Sequence, residues 1–90
     1  MSVVGGREIP EMRRRHLTAL AYEVEARGLS WRFAGPGETV LIVLIARTKR
    51  QVMVVATPVG AGWSYLWPGG GMADVTDVPH VADELARLLG

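Results

Sequence analysis

Seven consecutive apolar residues, Val40 to Ala46, constrain this chain more than any other feature. The run is far shorter than the roughly 20 residues that span a bilayer, so it reads as an internal strand rather than a membrane segment. A second run, Val52 to Ala56, has the same two-sided apolar character. A strand exposing one face to water alternates apolar and polar side chains, and these two do not. Both sides of a sheet built on them therefore call for cover.

The flanking sequence supplies part of that cover. From Pro10 to Arg27 the pattern is helical, with Met12, Leu17, Leu20, Ala21 and Val24 on one stripe. Pro10 suits a first helical turn, and Gly28 suits the position just past the end. Leu29, Trp31 and Phe33 then alternate with Ser30, Arg32 and Ala34, which predicts a half-buried strand. Gly35-Pro36-Gly37-Glu38 predicts a turn, and Thr39 to Arg47 a strand. Thr48-Lys49-Arg50-Gln51 predicts a hairpin turn before the strand at 52–56. Pro58 to Gly62 reads as a loop. Trp63, Tyr65 and Trp67 alternate with Ser64 and Leu66 in a fourth strand, and Pro68-Gly69-Gly70-Gly71 ends it. The last helix runs from about Val78 to Leu89, with Asp77 as its N-cap, Pro79 in the first turn, and Val81, Ala82, Leu85, Leu88 and Leu89 as its buried stripe.

The expected fold is α+β, a two-layer sandwich in the order α-β-β-β-β-α, with an antiparallel four-stranded sheet and two helices on one face. The expected organisation is a flexible tail over residues 1–8 and a single domain over 9–90. If both central turns close even-numbered loops, Leu29, Trp31, Phe33, Val40, Ile42, Leu44, Met53 and Val55 share the helix-covered face. Leu41, Val43, Ile45, Val52, Val54 and Ala56 then form the other face, with Ser30, Arg32 and Arg47 around them. An odd-numbered turn exchanges one strand's contribution, because a one-residue slip reverses every side chain. The competing arrangement puts one helix on each face and leaves no patch.

Ninety residues make one small domain, and such a domain buries a modest share of its surface. Without cysteine it has no disulfide framework, thiol catalysis or thiolate metal site. His16 and His80 offer the only imidazoles, and neither points to a metal or a catalytic base. Oligomerisation is then the remaining common supplement. Hydrophobic residues are 49% and charged residues 21% of the chain, a globular profile. MSVVGGREIP has none of the marks of a signal peptide, which places the expected location in the cytoplasm.

No enzyme chemistry emerges. Ser2, Ser30 and Ser64 stand outside any Gly-x-Ser-x-Gly elbow. Asp83 and Glu84, adjacent on a helix, diverge, and Glu23 and Glu25 are similarly placed. Gly69-Gly70-Gly71 lacks the Lys-Ser/Thr of a phosphate loop and reads as a connector. No cofactor is expected. Charge is uneven, with nine of the ten basic residues in the first 50 and nine of those ten being Arg. Arg13-Arg14-Arg15 is the one concentrated cluster, and it fans around its helix because successive residues are about 100° apart. It is a possible anion contact, and nucleic-acid binding through it is the weakest reading.

Trp63, Tyr65 and Trp67 share one strand face and serve either as core beneath the helices or as a binding ridge. The run Glu25-Ala26-Arg27-Gly28-Leu29, the Trp63-Ser64-Tyr65-Leu66-Trp67 strand, Asp77 and the final Ala/Leu helix resemble a loose group of small actinobacterial helix–sheet–helix proteins of unknown function. The resemblance covers residues 12–89 in layout and implies no catalytic residues.

These features together predict a non-enzymatic protein-interaction module, an accessory or regulatory subunit. It would form a homodimer, or bind a partner protein, through Leu41, Val43, Ile45, Val52, Val54 and the Trp63, Tyr65 and Trp67 ridge. The alternative is an accessory protein of specialised metabolism that binds a small apolar ligand.

Overall fold

In the computed structural model, residues 3–90 are described, with side chains from Ile9 onward. Helix α1 spans Val3–Ala26, and strands follow at Ser30–Ala34 (β1), Val40–Ile45 (β2), Arg50–Val59 (β3), Gly62–Trp67 (β4) and Gly71–Asp74 (β5). Helix α2 spans Val78–Leu89. The sheet is an antiparallel meander in the order β1-β2-β3-β4-β5. It has five strands rather than the four expected, so the element order is α-β-β-β-β-β-α.

The helical stripes are where the apolar spacing put them. Leu17, Leu20, Ala21 and Val24 are fully buried on α1, and Val81, Ala82, Leu85 and Leu89 line the inner side of α2. Leu88, expected in that stripe, is half exposed, because its neighbour Leu89 takes the inward position. Gly28, at φ +82°, ends α1. The Gly28 amide donates to the Glu25 carbonyl at 3.0 Å and the Leu29 amide to the Val24 carbonyl at 3.1 Å. This pair of bonds is a Schellman stop, and buried Leu29 and Val24 supply its apolar contact.

Two helix starts differ from expectation. Pro10 lies inside α1, not in its first turn, because the backbone is helical from Val3. Residues 1–2 of the expected tail lie outside the described residues. Asp77 stands at the N-cap position of α2 but its side chain makes no capping bond. Asp74 caps instead, accepting from the Thr76 amide at 2.8 Å and the Thr76 hydroxyl at 2.7 Å, and so orders a 3-10 turn ahead of α2.

The missed strand is β5. Pro68, Gly69 and Gly70 form a tight turn, with φ +92° at Gly69 and +85° at Gly70, and Trp67 then pairs with Gly71. The segment Gly-Met-Ala-Asp has little β propensity of its own, and its pairing with β4 decides its conformation. β3 is longer than expected for a related reason. Val59 pairs with Gly62 across a two-residue turn, so Pro58 lies within the strand. The partners of β2 on β3 end at Val54, and there is no second neighbour there to miss the Pro58 amide.

Register settles the faces. Ala34 pairs with Val40, so the β1–β2 connection holds five residues, an odd number. Trp31 therefore stands beside Val43, and Phe33 beside Leu41. The β2–β3 turn is even, at residues 46–49, and keeps Val43 beside Val52 and Leu41 beside Val54. One buried cluster joins both helix stripes to Leu41, Val43, Val54, Ala56 and Tyr65. Both helices thus lie on that face, the reverse of the expected choice. Val40, Ile42, Leu44, Met53 and Val55, expected under the helices, are on the other side.

Candidate functional site: the uncovered sheet face

The expected interface residues are internal. Leu41, Val43, Val54 and Tyr65 are fully buried, and Ile45, Val52, Trp63 and Trp67 pack partly buried around them. As an interface this set is corrected, because the five-residue β1–β2 connection turned β1 over and the helices followed the face with the aromatic strand. The aromatic ridge is core. Tyr65 donates to the His16 carbonyl at 2.5 Å, tying β4 to α1. Burial pushes the Tyr65 phenol up to about 12. Trp63 lies 5.2 Å from the His16 ring, with the Arg13 guanidinium 5.6 Å from the Trp63 ring on the same side of the sheet.

The arginine cluster is dispersed. Arg13 donates through Nε to the Ala56 carbonyl at 3.0 Å. Arg14 pairs with Glu38 and lies 4.9 Å from the Phe33 ring. Arg15 is exposed on the outer side of α1. With two of its three members engaged within the chain, the cluster forms no common anion site. Neither histidine is placed for chemistry. Half-buried His16 leaves Nε2 without a partner, and burial followed by the charge of Arg15 lowers its pKa. His80 is exposed at the start of α2. Among the described residues, no group of three His, Cys, Asp or Glu comes together to hold a metal. Nor is any described helix long and apolar enough to cross a membrane.

The acidic pairs of the helices serve structure. Arg27 bridges Glu23 of α1 at 2.8 Å and Asp83 of α2 at 2.7 Å. Its hydrogen bond holds the Asp83 carboxyl below its ordinary range.

The site left over is the face of the sheet away from the helices. Ile42 is beside Met53, and Val55 beside Leu66, which in turn faces Met72. Val40 and Leu44 extend the apolar area along β2, and Val59 lies at the far end of β3. Met53 is 52% exposed, Val59 48% and Met72 61%, high values for side chains of this kind. Met53, Val55, Leu66, Trp67 and Pro68 wall a shallow indentation of about 230 Å³. Both helices pack against the opposite face, and on this one Ile42 is itself only 4% exposed while its neighbour Met53 stands out.

Both helices pack on one face, as expected, but on the face opposite to the one the even-loop register predicts. The available signal was Gly35-Pro36-Gly37, where positive φ at Gly35 and Gly37 accommodates an odd, five-residue connection. No family model, curated protein or solved structure matches the chain.

Proposed function

We propose that this chain is a non-enzymatic interaction module that self-associates through the uncovered face of its sheet and acts as an accessory or regulatory subunit. The observation that carries the reading is the apolar stretch from β2 to β5, with Met53 and Met72 standing out into solvent. Apolar side chains contiguous across several strands are a surface a monomer rarely leaves wet. Burying them against a second layer recovers roughly 25 cal/mol for each Å² removed from water.

The test is the assembly state of wild type beside Met53→Asp and Leu66→Asp, measured by light scattering over a concentration series. Wild type is expected to dimerise, and both variants to be folded monomers. A wild type that stays monomeric at every concentration sinks the reading.

A second reading is favoured by one observation, the apolar indentation beside Trp67. Its walls suit a small apolar ligand, which would make the chain a ligand-binding accessory protein. Titration of wild type with apolar compounds, followed by tryptophan emission at associating and at dilute, monomeric protein concentrations, tests it. Emission unchanged in both excludes it.

A further inference from the structure

The uncovered face carries two charged side chains on its strands, and they have opposite sign. Register puts Arg32 of β1 beside Ile42, and Ile42 beside Met53. It puts Asp74 of β5 beside Ser64, and Ser64 beside Thr57. Arg32 is thus two strands from β3 at the level of Met53, while Asp74 is two strands away on the other side at the level of Thr57. Their midpoint is Val55, close to the middle of β3, which spans Arg50–Val59. Strand spacing and rise set the two charges about 23 Å apart across the face.

Resting on the self-association reading above, we infer that the occupant of this face is a second copy packed about a twofold axis through Val55, with Arg32 of each copy paired to Asp74 of the other. A face with one cation and one anion at equal distances from its centre is complementary to itself under a twofold rotation, which exchanges the two ends. A partner of one charge sign would match one end and oppose the other. The area also suffices. The two staggered three-strand halves present roughly 400 Å² of projected sheet per copy by standard strand dimensions. A pair therefore closes off about 800 Å² in projection and more as accessible surface, in the range of the roughly 1,000 Å² expected of a specific interface. The same axis lays Met53 of each copy over the indentation beside Leu66, Trp67 and Pro68 of the other, which gives the shallow cavity an occupant. Arg32 and Asp74 make no ion pair within the chain among the described residues, and the Asp74 bonds from Thr76 both go to Oδ1, which leaves Oδ2 to meet the arginine of a second copy.

Charge reversal decides the pairing. Sedimentation equilibrium is run on wild type, Arg32→Glu, Asp74→Arg, the double reversal, Asp74→Asn and Met53→Asp. Each single reversal places like charges together twice per dimer, and is expected to weaken association by about tenfold or more. The double reversal is expected to recover most of that loss. Asp74→Asn keeps the oxygen that caps Thr76 and removes the charge, so it is expected to weaken the dimer while retaining the native circular dichroism of a folded chain, which guards against a misfolded Asp74→Arg. If wild type dimerises and Met53→Asp does not, yet the reversals leave association unchanged or the double variant is no better than the singles, the face stands and this pairing is wrong. A wild type that never dimerises overturns both the self-association reading and the pairing.

Discussion

The Tyr65 hydroxyl reaches the main-chain carbonyl of His16 at 2.5 Å, joining the centre of β4 to the middle of α1. A fully buried phenol with one good acceptor is satisfied, and the acceptor is a helix carbonyl that bonds outward. Tyr65→Phe keeps the ring and removes the bond. It is expected to lower stability by about 1–2 kcal/mol, a Tm decrease of about 4–16 °C for a domain of this size. An unchanged Tm shows that the bond contributes nothing net. Because burial raises the folded-state pKa to about 12 from an ordinary value of 10, the phenol's stabilising contribution is complete below pH 10. It is lost as pH rises from 10 through about 12, since only the unfolded chain ionises freely there. Absorbance of tyrosinate followed together with circular dichroism should show Tyr65 ionising as the fold is lost.

Gly71 is glycine because Trp67 occupies the space of its side chain. A Cβ at Gly71 would sit 2.0 Å from the Trp67 indole. Gly71→Ala therefore expels the ring, at an expected loss of about 1–3 kcal/mol typical of overpacking. Tryptophan emission should move to longer wavelength as Trp67 enters water. A variant with native emission and native Tm contradicts this account.

The sequence carried the helix faces and the alternation of β1 and β4 plainly, because period and burial agree there. It did not carry the side on which the helices rest. That choice turned on one residue of loop length between Ala34 and Val40, and loop length has no hydrophobic signature. β5 was hidden for another reason. Met72 and Ala73 are held by pairing to Leu66 and Tyr65 rather than by their own propensity. The candidate site inherited the first error, so its existence was legible and its residues were not. Trp63, Tyr65 and Trp67 read as either core or binding ridge because an aromatic strand looks alike whether helices or a partner cover it.

The two sides of the sheet should respond to a buried charge in opposite ways. Val43 is fully buried beneath the helices, whereas Met53 on the opposite face is half in solvent. Val43→Asp puts a carboxylate in the core with no partner, and at least 3 kcal/mol of destabilisation is expected, on the order of a large share of a small domain's stability. Met53→Asp should leave the Tm of the monomer within a few degrees of wild type. Chemical denaturation of both variants checks this, and equal losses would mean that the faces are assigned wrongly.

Arg27 holds the C-terminal end of α1 to the start of α2 through Glu23 and Asp83. The pair is largely in solvent, so its contribution is small and screened by salt. Arg27→Ala is expected to lower Tm slightly at low ionic strength, with the difference shrinking in high salt. The Asp83 carboxyl, held below its ordinary pKa of 3.8 by Arg27, favours the fold above that pH and ceases to do so as pH falls through its folded value. Arg27→Ala should therefore flatten the acid limb of the stability curve near and below pH 4. A variant with an unaltered acid limb dissociates Asp83 from this bridge.

His16 governs a higher pH window. Its ring is tilted 48° against Trp63, and its Nε2 is buried without a hydrogen-bond partner. Burial, the largest cause, and the charge of Arg15 hold its pKa below 6.5, while the charge of Asp74, at the C-terminal end of β5, works weakly the other way. Arg13 adds a further cation beside Trp63 on the same helix. A base whose folded pKa is lowered binds its proton more readily when unfolded. Its neutral form thus favours the fold fully above pH 6.5, and that contribution is lost as pH falls from 6.5 through the folded value. Wild-type Tm should decline on going from pH 7.5 to pH 5, before the carboxylates titrate. His16→Leu keeps an apolar surface against Trp63 and removes the unpaired nitrogen, whose desolvation costs about 1–3 kcal/mol. That variant should match or exceed wild type at pH 5 and show a flat Tm across the window. A wild-type Tm that is already flat there, or a His16→Leu profile that declines in parallel with it, removes His16 as the cause.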